Sequence, residues 1–265
     1  MKTPPKNTDQ FQSLVQLTDD LRSPEGCPWD KEQTHQSLTP YAIEEVFELV
    51  EAIEQQDDHK LKEELGDVLL QVVLHAQLAK ERNAFSISDV IQAITEKMIF
   101  RHPHVYGDVS AQSSSEVLKN WEDLKKSENK KTDTSNPLNV PPGMPALQRA
   151  AKIGFRTNKL QFDWPSAIEV WGKVEEEVTE LEEALESEKI EDIKNELGDV
   201  LFTLAQLARH LDLDPEQIGR QANLKFEKRF ITMMDLAKSQ GRDFVTLSLE
   251  EKEKLWLDAK KVLAK

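Results

Sequence analysis

The sequence predicts an all-α protein built from two copies of one helical domain, and three observations carry that expectation. Apolar residues recur at helical spacing through much of the chain, and period-two apolar runs bounded by turn residues are lacking. The hexapeptide ELGDVL stands at Glu64–Leu69 and again, unchanged, at Glu196–Leu201. EEVFEL at Glu44–Leu49 answers EEVTEL at Glu176–Leu181 with the same offset of 132 residues. Fainter echoes follow: Lys97 and Arg101 match Lys225 and Arg229, and Trp121 matches Trp256. Both copies thus carry the order EExxE, ExxD, KxxxR, Trp, the mark of a duplicated domain and not of a short solenoid repeat. We place the first domain at 1–126, a polar, proline-rich linker at 127–145 and the second domain at 146–265.

Taken in order, Thr39-Pro40 supplies an N-cap and a proline suited to a first helical position. From there Ile43, Val46, Phe47, Val50 and Ile53 recur at helical spacing, with Leu49 widening the stripe. A second helix runs from Asp58 to Glu81. His102 and His104 straddle Pro103 in what reads as a loop, with no cysteine or third histidine nearby; bonding to backbone or substrate suits them better than a metal. In the second copy Val174–Glu188 and Ile190–Leu211 repeat the helical pair, and Asp214-Pro215 starts another helix. The tail KEKLWLDAKK reads as a docked amphipathic helix. Cys27 is expected to pack, since nothing near it builds a nucleophile's base.

Composition limits the function. A formal charge of −15 and a pI near 4.9 argue against binding a nucleic-acid backbone, which needs a basic face. A polyanionic substrate would need divalent cations as a bridge. The single cysteine allows neither an intramolecular disulfide nor a cysteine-based zinc site. No window approaches 18 apolar residues and the N-terminus has no apolar h-region. The expectation is a cytoplasmic protein that uses no membrane.

The acids of ELGDVL are the chemical signal. At about 100° per residue, Glu64, Asp67, Gln71 and His75 fall within about 80° of arc, and leucines and valines fill the remainder. Such a helix is expected to be buried, with its acidic stripe facing into the protein. His75 on that stripe reads as a core or supporting histidine. Gly66 and Gly198, costing about 1 kcal/mol each against alanine, suggest close approach of another backbone. Buried carboxylates cost several kcal/mol unless compensated. The neighbouring helix brings more acid, Glu45 and Glu48. Oxygen ligands alone suit a hard cation, Mg²⁺ or Mn²⁺, completed by waters and substrate phosphates. Salt bridges to lysine or arginine from other helices or a partner chain are the competing reading.

EExxE followed by ExxD on two helices resembles the signature of the all-α nucleoside triphosphate pyrophosphohydrolases of the MazG family. The resemblance extends to GCPWDKEQTHQSL, RHPHVYGD, QFDW and KFEKRF, and so spans nearly the whole chain. It implies Mg²⁺-dependent hydrolysis of the α–β phosphoanhydride of nucleoside triphosphates, and a helical bundle that dimerises, subunits contributing to one another's sites. It implies metal ligands at Glu177, Glu180, Glu196 and Asp199, and at Glu45, Glu48, Glu64 and Asp67. Lys173, Lys225 and Arg229 would meet the phosphates and Trp256 the base, with weaker equivalents at Lys97, Arg101 and Trp121. For both tryptophans core packing competes with stacking. Glu176 and Glu177 join Lys173 as catalytic candidates, with the general base open. Stacking on an indole tolerates every base, so broad specificity is expected. Lys173 has Tyr41 as its counterpart 132 residues earlier, which predicts that the second copy carries more of the activity. Competing readings are a narrower enzyme for dUTP, phosphoribosyl-ATP or a damaged nucleotide, and a non-catalytic nucleotide-sensing or dimerisation module.

Overall fold

The computed structural model describes residues 3–111, 113–117, 120, 121, 124 and 137–264. Among them all regular structure is helical, as expected. The chain divides into two units, 1–132 and 133–265. Positions 127–136 of the expected linker lie outside the described residues.

In the first unit α1 (Phe11–Arg22) and α2 (Pro28–Glu32) lead into a helical hairpin, α3 (His35–Gln55) and α4 (Asp58–Glu81). Helices α5 (Ile87–Arg101) and α6 (Pro103–Tyr106) follow. The hairpin starts earlier than Thr39-Pro40. Thr34 caps α3, its hydroxyl accepting from Ser37 N while Ser37 Oγ accepts from Thr34 N. That reciprocal box satisfies two end donors, and Pro40 is carried inside the helix. Leu38, Leu74 and Leu78 form the core, with Leu70 against it. Helix α1 is tied on by Arg22, whose guanidinium donates twice to Glu81 at 2.8 Å, and by Asp19, which accepts from Lys80 at 2.8 Å and Gln77 at 3.1 Å. Arg22 also donates to the carbonyl of Asp30, which binds the PWD segment to the hairpin.

The second unit repeats the hairpin in α8 (Ala167–Ser187) and α9 (Ile190–His210), preceded by α7 (Ala146–Lys159). It continues through α10 (Pro215–Ser239), a 3₁₀ turn (Phe244–Thr246) and α11 (Leu249–Leu263). Here too the hairpin begins before the expected Val174, because Ser166 caps it through Glu169 N. Both hairpins bend at a residue in the left-handed region, Gln56 (φ 56°) and Glu188 (φ 55°), so the 132-residue register holds through the turn. Past the end of each hairpin the register changes to 128: Ser86 and Asp214 precede α5 and α10. Helix α5 stops at Arg101 ahead of Pro103, whereas α10 runs on to Ser239. The RHPH segment is therefore not a plain loop, since Pro103–Tyr106 forms a short helix. The C-terminal helix is docked as expected, burying Leu255 and Ala259 against Met233, Ala237 and Leu247.

Two expectations need correction. Helix α4 is buried only from Val73 to Ala79; Leu65, Leu69 and Val72 are 40–52% exposed. Nor does a backbone approach Gly66 or Gly198, where an added Cβ would meet nothing within 4 Å. Of the glycines within the long helices, Gly154 is the one closely approached, and by side chains: a Cβ there would lie 1.9 Å from Gln206 Oε1 and 2.6 Å from Arg209 Nε.

Candidate active sites

Each hairpin gathers three carboxylates. A spacing of three residues puts Glu45 and Glu48 on one face of α3. The bend at Gln56–Asp57 returns the chain so that Glu64 stands level with Glu48, each about two turns from the bend. One oxygen from each of Glu45, Glu48 and Glu64 lies within 4.8 Å of the others. Glu177, Glu180 and Glu196 repeat the arrangement. Asp67 and Asp199, expected as fourth ligands, sit three residues beyond Glu64 and Glu196 and outside these sets. All-carboxylate donors at this spacing fit one hard cation, whose remaining positions water or phosphate would fill.

The two clusters differ in charge compensation. Loss of solvent, then repulsion from Asp67, Glu48 and Glu64, raises the Glu45 carboxyl above its ordinary value. Loss of solvent, followed by Glu48 and Asp67, raises Glu64 against a small opposing pull from Lys60. Among the described residues no lysine or arginine forms an ion pair with Glu45, Glu48 or Glu64. In the second cluster Lys173 Nζ lies 2.8 Å from Glu176 and 2.9 Å from Glu177. Hydrogen bonds to these two acids push the ammonium pKa up. That contact lets Glu177 sit only 6% exposed, which an uncompensated carboxylate would not tolerate. Loss of solvent and Glu177 raise Glu180, with Lys173 opposing. At the position matching Lys173, Tyr41 instead meets Trp29 edge-on at 5.9 Å.

The KxxxR and tryptophan echoes are structural equivalents. Arg101 lies over the Trp121 ring and Arg229 over the Trp256 ring, each at 5.6 Å, a cation–π distance. Trp256 also meets Phe226 at 5.3 Å and walls an apolar cavity of about 310 Å³ with Phe230, Met233, Phe244 and Leu249. Lys225 is exposed one turn before Arg229, and Lys97 is likewise exposed before Arg101. His102 lies 2.6 Å from the Met98 carbonyl through Nδ1 and packs edge-on against Trp121. His75 is taken up by His35, Nδ1 to Nδ1 at 2.8 Å with stacked rings; burial, then His35, lowers its pKa and holds it neutral.

Sequence reasoning missed the buried polar clamp of the second unit. Asp163 accepts from Arg209 Nη1 at 2.8 Å, Arg209 Nη2 at 2.5 Å and Asn158 at 2.6 Å, and lies 3.1 Å from His210 Nε2. Burial pushes the Asp163 carboxyl up, but the Arg209, Asn158 and His210 hydrogen bonds outweigh it and hold it well below the usual range. Its signal was the acid of QFDW, for which the sequence offered no partner.

The sequence profile of the MazG nucleotide pyrophosphohydrolase domain matches residues 33–106 and 170–232, one span on each hairpin. The nucleoside triphosphate pyrophosphohydrolase/pyrophosphatase MazG of Thermotoga maritima is 46% identical over 250 residues, 94% of this chain and 95% of that protein. The nucleoside triphosphate pyrophosphohydrolase of Escherichia coli K12 is 40% identical over 260 residues, 96% and 98% of the two chains. The YabN protein of Bacillus subtilis is 45% identical over 252 residues, 95% of this chain but 52% of that longer protein.

Proposed function

The chain belongs to the MazG nucleotide pyrophosphohydrolase family, and we propose that it hydrolyses nucleoside triphosphates to the monophosphate and pyrophosphate with Mg²⁺, chiefly in its second unit and with little regard to the base. The observation that carries this reading is the pair of three-glutamate clusters, of which, among the described residues, only the second has a lysine in contact. One water is consumed and the α–β P–O bond is broken. Bound Mg²⁺ supplies neutralisation of the triphosphate and a lowered pKa for the attacking water. Mn²⁺ fits the same oxygen donors.

The chain's own groups do the remainder. Glu177, Glu180 and Glu196, with Asp199 one turn along the helix from Glu196, would hold the cation; Glu45, Glu48, Glu64 and Asp67 are their first-unit counterparts. Lys173, Lys225 and Arg229 stabilise charge developing on the departing pyrophosphate, as positioned cations do in phosphoryl transfer. Trp256 and the cavity beside it receive the base by stacking, which no base is denied. Glu176 orients Lys173, its hydrogen-bonded neighbour. Dimerisation would cover the apolar flanks that each hairpin leaves open.

The test is pyrophosphate release from the eight common ribo- and deoxyribonucleoside triphosphates, with and without Mg²⁺. The parent is expected to release pyrophosphate from all eight only with metal. Glu177→Ala should lose at least about a hundredfold in kcat, the scale of removing one transition-state electrostatic group, and Glu45→Ala far less. Activity confined to one base would favour the narrower enzyme, and full activity in Glu177→Ala with loss in Glu45→Ala would reverse the assignment of copies.

A further inference from the structure

We propose that Lys173 is a displaceable counter-ion of the second carboxylate cluster: it occupies the cation's side of Glu177 until a divalent ion expels it, and the expelled ammonium then meets the triphosphate. The inference rests on the metal reading above. It starts from an inequality between otherwise matching sites. Glu45 and Glu177 share one register position, yet Glu177 is 6% exposed and touches Lys173 at 2.9 Å, while Glu45 is half-buried and, among the described residues, pairs with no lysine or arginine, Tyr41 standing where the second unit has Lys173. A buried carboxylate must have a partner, so in the resting second unit the lysine supplies what a metal would supply.

An ammonium and a divalent cation held on the same carboxylate repel strongly. The lysine stem is flexible, and its head group is a mobile point charge. Metal entry therefore requires the head group to leave Glu177, and a triphosphate beside the metal gives it a new anionic partner. Two consequences separate the copies. Without nucleotide, the first cluster takes a divalent ion more readily than the second. With nucleotide, metal and triphosphate promote one another's binding in the second unit, reciprocally as linkage requires, whereas in the first unit that coupling is weaker.

The experiment is Mn²⁺ binding to the full chain, followed by loss of the free-ion paramagnetic resonance signal. Glu64→Gln disables the first cluster so that the second is read alone, and Glu196→Gln does the converse. In the Glu64→Gln background, Lys173→Met is expected to tighten Mn²⁺ about tenfold without nucleotide, while Lys173→Arg, which keeps the charge, stays near the parent. In the Glu196→Gln background, Tyr41→Lys is expected to weaken Mn²⁺ by a similar factor. Adding an α,β-methylene nucleoside triphosphate should tighten Mn²⁺ more with Lys173 present than with methionine. Unchanged Mn²⁺ affinity in both Lys173→Met and Tyr41→Lys would overturn the inference and leave the metal reading standing. No Mn²⁺ bound at either cluster would overturn both. A Lys173→Met chain that has lost its helical circular dichroism leaves Tyr41→Lys to decide.

Discussion

Position 173 holds lysine where position 41 holds tyrosine, and this single difference sets how each glutamate cluster lives without metal. Loss of solvent and the nearby acids raise the Glu45 carboxyl pKa, with a defined consequence for stability. A carboxyl whose folded pKa lies above its unfolded one is penalised when ionised, and the penalty disappears as pH falls through the folded value toward the ordinary 4.5. Metal-free Glu45→Gln should therefore melt above the parent near pH 7, with the gain shrinking as pH falls toward 5. Thermal melts in chelator at the two pH values check this, and a gain that grows on acidification would refute it. Asp163 has the opposite sign. Its depressed carboxyl pKa contributes stability that is present above about pH 4 and is lost only as pH falls below the ordinary aspartate range.

At the scale of elements, glycine separates what helix chemistry determines from what packing determines. Gly66 and Gly198 carry the same local cost as Gly154, but their Cβ directions are empty. Gly66→Ala and Gly198→Ala should each stabilise the chain by about 1 kcal/mol through helix propensity alone. At Gly154 the new methyl would displace Gln206, which is fully buried, donates to the Ala150 carbonyl at 2.7 Å and accepts from Arg209 at 2.9 Å. Losing those bonds costs about 1–3 kcal/mol and outweighs the propensity gain, so Gly154→Ala should destabilise by about 1–2 kcal/mol. Urea titration of the three variants distinguishes the signs. The hairpins themselves were legible: paired acids, Asp214-Pro215 and the exact offset of 132 are local signals. Their first turns were not, because Thr34 and Ser166 cap more effectively than the Thr39-Pro40 start or the apolar stripe from Val174 suggested.

For the whole molecule the exposed apolar flanks matter most. Ile43, Val46 and Phe47 on α3 and Leu65, Leu69 and Val72 on α4 are open to solvent, as are Trp171, Leu197, Leu201 and Leu204 in the second hairpin. Exposed apolar surface on this scale calls for a partner. Covering it with a second copy in a closed symmetric assembly is the economical solution. Light scattering after gel filtration should give the mass of a dimer, and Leu69→Glu combined with Leu201→Glu should give a monomer. A monomeric parent would remove dimerisation from the proposed function. Among the described residues no helix is long and apolar enough to cross a membrane.

By itself the sequence determined the helical class, the duplication and the residue types of the acid clusters. These follow from periodicity and spacing, which act between near neighbours on one helix. It also marked the Lys173–Tyr41 difference as the distinction between copies. Only the tertiary structure decided that three glutamates converge while Asp67 and Asp199 stand outside. It alone joined Asp163 to Arg209 across 46 residues and placed both arginines on their tryptophans. Those are contacts between segments distant in sequence, set by where the bend and the loops put one surface against another, and no pattern along a single helix encodes that distance. The same reason defeated the expectation of a buried α4: a wheel shows which residues are apolar, but burial depends on whether another surface arrives to cover them.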